Sequence, residues 1–464
     1  MQNIEYNIIL DTDSYKASHF LQYPPDTRGL FAYIESRGGL YPQTVFFGLQ
    51  YILKRYLSQP VTMSMIDEAE VLLTAHGEPF NRAGWEHIVN CHGGMLPVEI
   101  RAVPEGMVIP TGNALVTVES TDSEVFWIAS YIEDILLRVW YPLTVATQSW
   151  AIKQRILHAL ERTSDDPQGQ IPFKLHDFGA RGVSSLESAG IGGMAHLVNF
   201  MGTDTVESLR YAKAYYNAPM AGYSIPASEH STITSWGGEG EMAAYRNMIR
   251  KFGRPDALFA CVADSYDLMR AVEEMFGGGL KEEIIRSGAM IVIRPDSGDP
   301  ATMAIKTVLA LDAAFGSVTN TKGFKVLQYT RVIYGDGINE SSIRQILMDL
   351  SEWGFSADNI AFGMGGALLQ QVNRDTQRMA MKTSSVLRGD VWLDVFKDPI
   401  TDPGKRSKKG RLSTYRCAAD GVVRTLLVED AADHEDLMRT VWRNGHLVVE
   451  DDLEVVRERA MLRS

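Results

Sequence analysis

Cysteine is scarce in this chain: Cys91, Cys261 and Cys417 are the three in 464 residues. An odd count without metal-type spacing excludes a disulfide scaffold and predicts idle or buried thiols in a reducing compartment. A basic excess is also missing. The formal net charge is −13, from 45 Lys and Arg against 58 Asp and Glu, which argues against sequence-independent binding to nucleic acid or an anionic membrane. No apolar run approaches the ~18 residues of a membrane span. The opening stretch MQNIEYNIILDTDSY carries Glu5 and Asp11 and lacks the basic n-region of a signal peptide. The expected location is the cytoplasm, with no nucleic-acid or membrane partner. There is no low-complexity tract and no repeat of fixed period.

What is present is a globular composition, with 45% hydrophobic and 22% charged residues, in a chain too long for one small core. The first third mixes helices and short strands. Residues 44–57 place Phe46, Leu49, Leu53 and Tyr56 on one helical face. The next helix opens at Ser64-x-x-Asp67, a capping-box-like start, and stops at Gly77. Residues 96–119, with turns at Pro104-Glu105-Gly106 and Pro110-Thr111-Gly112, predict a small antiparallel β unit. Two helices follow, over 124–140 and 144–162, and the polar stretch 163–170 reads as a boundary.

Beyond it the pattern becomes strand, polar loop, helix, repeated. Strand-forming runs start at 173 (FKLHDFGARG), 257 (ALFACVADSYD), 290 (MIVIRPDSGDP), 330 (TRVIYGDGIN) and 359 (NIAFGMGGALL), with a helix over 266–276 closed by Gly277. This is the grammar of a (β/α) barrel or an open parallel sheet. The barrel is favoured, because its loops all face one site at the C-terminal ends of the strands. The expected fold is α/β: an irregular TIM-like barrel over 166–382, with a mixed α+β domain from 1–165 and a C-terminal segment, 383–464, that packs with the N-terminal domain. The tail carries a basic island, Lys405 to Arg411, which reads equally well as a solvated loop or an anion-handling flap.

The loops hold a particular mixture: His176, Asp177 and Arg181; Asp264 and Asp267; Arg294, Asp296 and Asp299; Gly335-Asp336-Gly337; Gly363-Met364-Gly365-Gly366. Glycine turns leave backbone N–H groups free to approach a phosphate, arginine pairs with phosphate oxygens, and carboxylates there suit Mg²⁺ or ribose hydroxyls. Each signal alone also fits plain turns and solvated caps. Five loops converging on one barrel mouth point to a phosphorylated-sugar site. His230, in Ser228-Glu229-His230-Ser231, reads either as a surface or capping residue or as a proton shuttle or nucleophile.

The segments DTDSYKASHFLQYPP, FFGLQYIL, KLHDFGARGVSS, HLVNFMGTDT, GYSIPASEHSTITSWG, IRPDSGDP, GGALLQ and FKDPITDPGKRSKKGRL, in this order along nearly the whole chain, resemble the nicotinamide phosphoribosyltransferase family. The resemblance implies a homodimer of the type II phosphoribosyltransferase fold with composite active sites, taking nicotinamide and phosphoribosyl pyrophosphate. It implies that Phe178 stacks on the nicotinamide ring, that Tyr15 of the other subunit covers the opposite face, and that Asp204 reads the carboxamide. Arg181 and Arg294 would face the ring and the phosphate-bearing substrate. Asp296 and Asp336 would serve ribose hydroxyls or Mg²⁺-linked groups, and Gly335, Gly365 and Gly366 would cradle the 5′-phosphate. Arg374, Lys382 and Lys405 would reach phosphate or pyrophosphate across the interface. His230 would be phosphorylated by ATP, an activating co-substrate, with Glu229 and Asp264 beside it, and Mg²⁺ would be held mainly by pyrophosphate. The short stretch Gly38 to Gln43, where animal members carry an insertion, suggests a bacterial or phage source. Two rivals are nicotinate phosphoribosyltransferase and a non-catalytic extracellular signalling protein on the same fold.

Overall fold

The computed structural model describes residues 4–401 and 406–461. The chain divides into two units, one from Met1–Thr147, Ala214–Ala218 and Asn373–Ser464, the other from Gln148–Lys213 and Pro219–Val372.

The second unit is built on six parallel strands: β1 (Leu175–Asp177), β2 (Gly202–Thr203), β3 (Leu258–Val262), β4 (Met290–Arg294), β5 (Thr330–Tyr334) and β6 (Ile360–Met364). They lie in the order β2-β1-β6-β5-β4-β3. Runs such as Ile291-Val292-Ile293 are buried throughout, as expected of parallel strands covered on both faces. The five runs marked in the sequence appear as β1, β3, β4, β5 and β6. The two-residue β2 was not among them.

The sheet curls, and an extended segment meets both of its edges. Thr203 N–H donates to Tyr223 O at 3.1 Å, while Ala260 N–H donates to Pro226 O at 2.9 Å and Ser228 N–H donates to Ala260 O at 3.0 Å. Pro226 has no N–H to donate and breaks the ladder. The described residues therefore give a mixed α/β fold with a curled six-stranded sheet, two regular strands short of a complete TIM barrel.

Loop residues start the helices that follow the strands. Asp299 caps Pro300–Phe315, accepting from Thr302 N–H at 2.9 Å with proline at the first helical position. Asn339 caps Glu340–Glu352. The helix expected over 266–276 is a short α turn, Leu268–Arg270, running into a π stretch, Ala271–Gly279, so Gly277 sits inside the element rather than closing it.

The first unit centres on a seven-stranded antiparallel sheet. Its strands, in spatial order, are Val391–Asp394, Met379–Arg388, Thr27–Ser36, Ala114–Ser120, Val98–Ala102, Arg439–Arg443 and His446–Leu447. Thr27–Ser36, buried at every position but Arg28, pairs on both sides, with Tyr33 opposite Lys382 and Thr117. The β unit expected over 96–119 is present, with Val98–Ala102 paired to Ala114–Ser120.

Two boundaries shift. Residues 43–45 form a strand paired to Val108–Pro110, and the helix begins only at Leu49, after Gly48 at φ +103°. A side chain at Gly48 would meet Pro142 at 2.3 Å, and the buried Glu105 accepts from Gly48 N–H at 3.0 Å and Gln50 N–H at 2.6 Å. Burial pushes the Glu105 carboxyl up, against these hydrogen bonds and one from Tyr216. The helix Met63–His76 is capped by Thr62, not Ser64, and ends at Gly77 at φ +103° as expected. Among the described residues no helix is long and apolar enough to cross a membrane.

Candidate active site

The C-terminal ends of the parallel strands gather most of the sequence candidates. A cavity of about 510 Å³ in the second unit is lined by Phe178, Asp204, Ser224 and Arg294, with Ala260, Val292 and Ile333 as its apolar wall. Phe178 packs on that wall. Its position is set by two glycines. A Cβ on Gly363 would lie 1.9 Å from Phe178 Cε2, and one on Gly335 would lie 3.3 Å from the same atom. Phe178 N–H also donates to Met364 O at 3.0 Å.

Asp204 is held at the backbone by Asp177, whose carbonyl accepts from Asp204 N–H at 2.9 Å. Its Oδ1 accepts a hydrogen bond from Ser224 Oγ. Asp177 itself is fully buried. Burial pushes its carboxyl up to about 6, although Gly179 N–H, at 2.7 Å, favours the ionised form. His176 is packed, with Nε2 donating to Phe173 O at 3.1 Å and its ring 2.6 Å from where a Cβ of Gly202 would stand. Burial pushes the His176 pKa down.

The acidic half adjoins this ring site. His230 starts the helix His230–Thr234. Its Nδ1 lies 3.2 Å from Ser265 Oγ, and its Nε2 lies 3.7 Å from Asp264 Oδ1 and 3.5 Å from Asp296 Oδ2. Asp264 Oδ2 accepts from Asp296 N–H at 3.1 Å and from Ser297 Oγ. Its Oδ1 is buried without a hydrogen-bond partner. Arg294 Nη2 stands 3.5 Å from Asp296 Oδ2, so one arginine belongs to both the cavity wall and the acid group. Gly335 joins them too: its absent Cβ would be 3.4 Å from Asp296 Oδ1. The Tyr334 hydroxyl donates to Ser297 O at 2.7 Å. Burial first, then the charges of Asp336, Asp264, Asp299 and Asp296, push it up to about 12. The field here is strongly negative and suits a cation or a ligand that brings one.

Other candidates take plainer positions. Glu229 is the helix cap, its carboxylate accepting from Ser231 Oγ and sharing a capping box with Thr232. Asp267 and Asp299 are caps as well. Arg181 sits exposed on the turn Ala180–Gly182. Gly365 leads into the short helix Gly366–Leu369, and a Cβ on Gly366 would meet nothing within 4 Å. In the first unit, Tyr15 is 53% exposed, with its ring edge-on to His19 at 4.9 Å. Arg374 lies exposed beside Asp375 at 3.4 Å. Lys382, on Met379–Arg388, has its pKa lowered by burial. Lys405 lies outside the described residues.

Gly363 as the seat for a ring, and Ser224, Ser265 and Ser297 as hydrogen-bond partners, had no individual sequence signal. Only the convergence of the loops could have pointed to them.

Comparison with known proteins gives the family. Residues 173–446 match the nicotinate phosphoribosyltransferase family, and residues 7–100 match the nicotinamide phosphoribosyltransferase N-terminal domain. The chain is 60% identical over 458 residues to a nicotinamide phosphoribosyltransferase of Xanthomonas campestris pv. campestris, covering 98% of both chains. A protein of the same name from Acinetobacter baylyi is 31% identical, covering 96% of this chain and 95% of that one. Among solved structures, a nicotinate-nucleotide pyrophosphorylase from Pyrococcus furiosus aligns over 99% of this chain and 97% of its own, with a TM-score of 0.62 at 16% identity. Human nicotinic acid phosphoribosyltransferase aligns over 97% and 92%, with a TM-score of 0.57 at 17% identity. At such identities these two speak for the fold alone.

Proposed function

The chain belongs to the nicotinate phosphoribosyltransferase family, and from that membership we propose that it condenses nicotinamide with phosphoribosyl pyrophosphate, giving nicotinamide mononucleotide and pyrophosphate in NAD salvage. The observation that carries the amide-specific reading is the placement of Asp204 and the glycine-seated Phe178 in the wall of one cavity. The pyridine nitrogen is already unprotonated near neutral pH and needs no general base. What the site must supply is position, and an aromatic face supplies it. Asp204 accepts from an amide NH₂ but repels a carboxylate, a like-charge contact costing several kcal/mol when desolvated.

Transfer at the anomeric carbon develops positive charge on the ribose and negative charge on the departing pyrophosphate. Arg294 meets the second, as oxyanion-type stabilisation requires. Asp264 Oδ1, buried without a hydrogen-bond partner, and Asp296 Oδ2 lie 3.7 and 3.5 Å from His230 Nε2, and both are oxygen donors of the kind Mg²⁺ takes. Asp264 and Asp296 would help to hold that ion, bound mainly by the substrate pyrophosphate, and it would supply positive charge to the leaving group. Gly335, Gly365 and Gly366 offer backbone without side chains to the 5′-phosphate. His230, half-exposed between Ser265 and the two aspartates, takes a phosphoryl group from ATP and so tunes the pyrophosphate side.

In this reading the curled sheet and Tyr223–Ser228 together make an irregular barrel. Two chains pair, so that Tyr15, Arg374, Lys382 and Lys405 of each complete the other's site. The three free thiols fit the reducing cytoplasm. The test is product identification by mass spectrometry with nicotinamide, nicotinate, phosphoribosyl pyrophosphate and Mg²⁺ in one reaction. Nicotinamide mononucleotide is the expected product; nicotinate mononucleotide in its place would assign the chain to the acid substrate.

A further inference from the structure

A second group of convergent donors lies in the first unit, among residues that take no part in the proposed chemistry. The helix Arg82–His92 starts at the Asn81 cap and stops at Gly93, at φ +59°. It carries His87 and Cys91 one turn apart and His92 at its last position. Asp122 follows the strand Ala114–Ser120 and caps the turn Ser123–Val125, accepting from Glu124 N–H at 2.9 Å through Oδ1. That bond leaves Oδ2 free, and both imidazoles aim at it: His87 Nε2 is 2.8 Å away and His92 Nε2 is 2.7 Å away. The side chains are 29%, 25% and 20% exposed for His87, His92 and Asp122, so the group is anchored yet reachable from solvent.

Two rings with the same nitrogen directed at a single carboxylate oxygen form an unusual device for a plain helix–loop contact, which one histidine would secure. The three donor atoms lie within 4.8 Å of one another. A tetrahedral ion with bonds of ~2.0–2.1 Å needs its ligands roughly 3.3 Å apart. The present separations from the carboxylate oxygen reach that by opening roughly 0.5 Å.

We propose that His87, His92 and Asp122 form a zinc site, with a fourth position open to water, that ties the C-terminal end of helix Arg82–His92 to the loop after Ala114–Ser120. Two imidazole nitrogens and one carboxylate oxygen are borderline donors of the kind that Zn²⁺ takes, whereas Mg²⁺ favours oxygen alone. The surroundings supply outer hydrogen bonds of the usual kind. Glu124 N–H fixes the carboxylate, and Cys91 Sγ, 3.7 Å from His87 Nδ1, can accept a hydrogen bond from that ring's Nδ1–H once Nε2 is given to the ion.

The test uses the full-length protein, stripped with a chelator and dialysed, then titrated with Co²⁺ and with Zn²⁺. The expected result is visible ligand-field absorption of tetrahedral Co²⁺ at one ion per chain, bleached by Zn²⁺. Zn²⁺, but not Mg²⁺, should raise the melting temperature. His92→Gln and His87→Gln should bind at least tenfold more weakly and lose the shift in melting temperature, with circular dichroism and the activity measured in Mg²⁺ without zinc unchanged. Asp122→Asn should behave alike; because it also touches a cap, the histidine variants decide if it folds poorly. Absence of the Co²⁺ band, or equal binding by the wild type and His92→Gln, would overturn the proposal.

Discussion

The ring of Phe178 occupies the space that a side chain on Gly363 would need, its Cε2 only 1.9 Å from the position of the missing Cβ. One strand residue therefore sets the place of an aromatic ring that belongs to another strand's loop. Gly363→Ala must displace the ring, since the backbone of β6 is paired to β1 at His176. We expect the KM for nicotinamide to rise at least tenfold, a change worth about 1.4 kcal/mol, while the variant still folds. Steady-state kinetics alongside thermal denaturation separates the two effects. An unchanged KM in a folded variant would show that Phe178 does not hold the ring.

Asp204→Asn removes the like charge that rejects an acid substrate. The preference for nicotinamide over nicotinate should fall by roughly tenfold to a hundredfold, in keeping with the cost of a partly desolvated like-charge contact. Competition between the two substrates measures it. Unaltered selectivity would take Asp204 out of substrate reading.

His230→Ala should leave a slow basal reaction and abolish its stimulation by ATP. Asp264→Asn, which alters the carboxylate 3.7 Å from His230 Nε2, should weaken stimulation and lower the basal rate together. Rates with and without ATP at fixed Mg²⁺ test this. Full stimulation in the alanine variant would return His230 to a purely structural role.

Asp177 offers a test by pH. Its carboxyl is raised by burial from 3.8 to about 6, so between those values the folded chain holds a proton that the unfolded chain has released. Stability contributed by the protonated form is therefore present below pH 4 and lost as pH rises toward 6. At 1.36 kcal/mol per unit, the loss is roughly 3 kcal/mol. Asp177→Asn, which mimics the protonated group, should gain on the wild type across pH 4 to 6, as urea denaturation at several pH values would reveal. Parallel stability profiles for the two proteins would contradict the buried-proton account.

The elements most legible from sequence were those whose signal is local. The runs at 173, 257, 290, 330 and 359 are short, hold strand-forming residues and are closed by glycine or aspartate, and each became a strand of the parallel sheet. β2 has two residues, too few for any periodicity. The helix expected from residue 44 failed at its start because Gly48 and Glu105 act there, and Glu105 is distant in sequence though it caps Gly48 and Gln50 directly. Site residues followed the same division. Loop positions could be read from composition. Whether a carboxylate turns toward the cavity, as Asp204 does, or caps its own helix, as Glu229 and Asp299 do, depends on side-chain partners that no spacing records.

The pairing of Thr27–Ser36 with Met379–Arg388 has a consequence for biosynthesis. A strand made among the earliest residues cannot complete its hydrogen bonding until a partner some 350 positions later has left the ribosome. The parallel strands between 175 and 364 find their neighbours far sooner. During translation the early strand thus waits with a bare edge, a hazard for aggregation. Nascent chains stalled before residue 379 should be cut readily by protease within 27–36, and chains stalled after release of Met379–Arg388 should resist; equal cleavage at both lengths would mean that the edge is sheltered by other means.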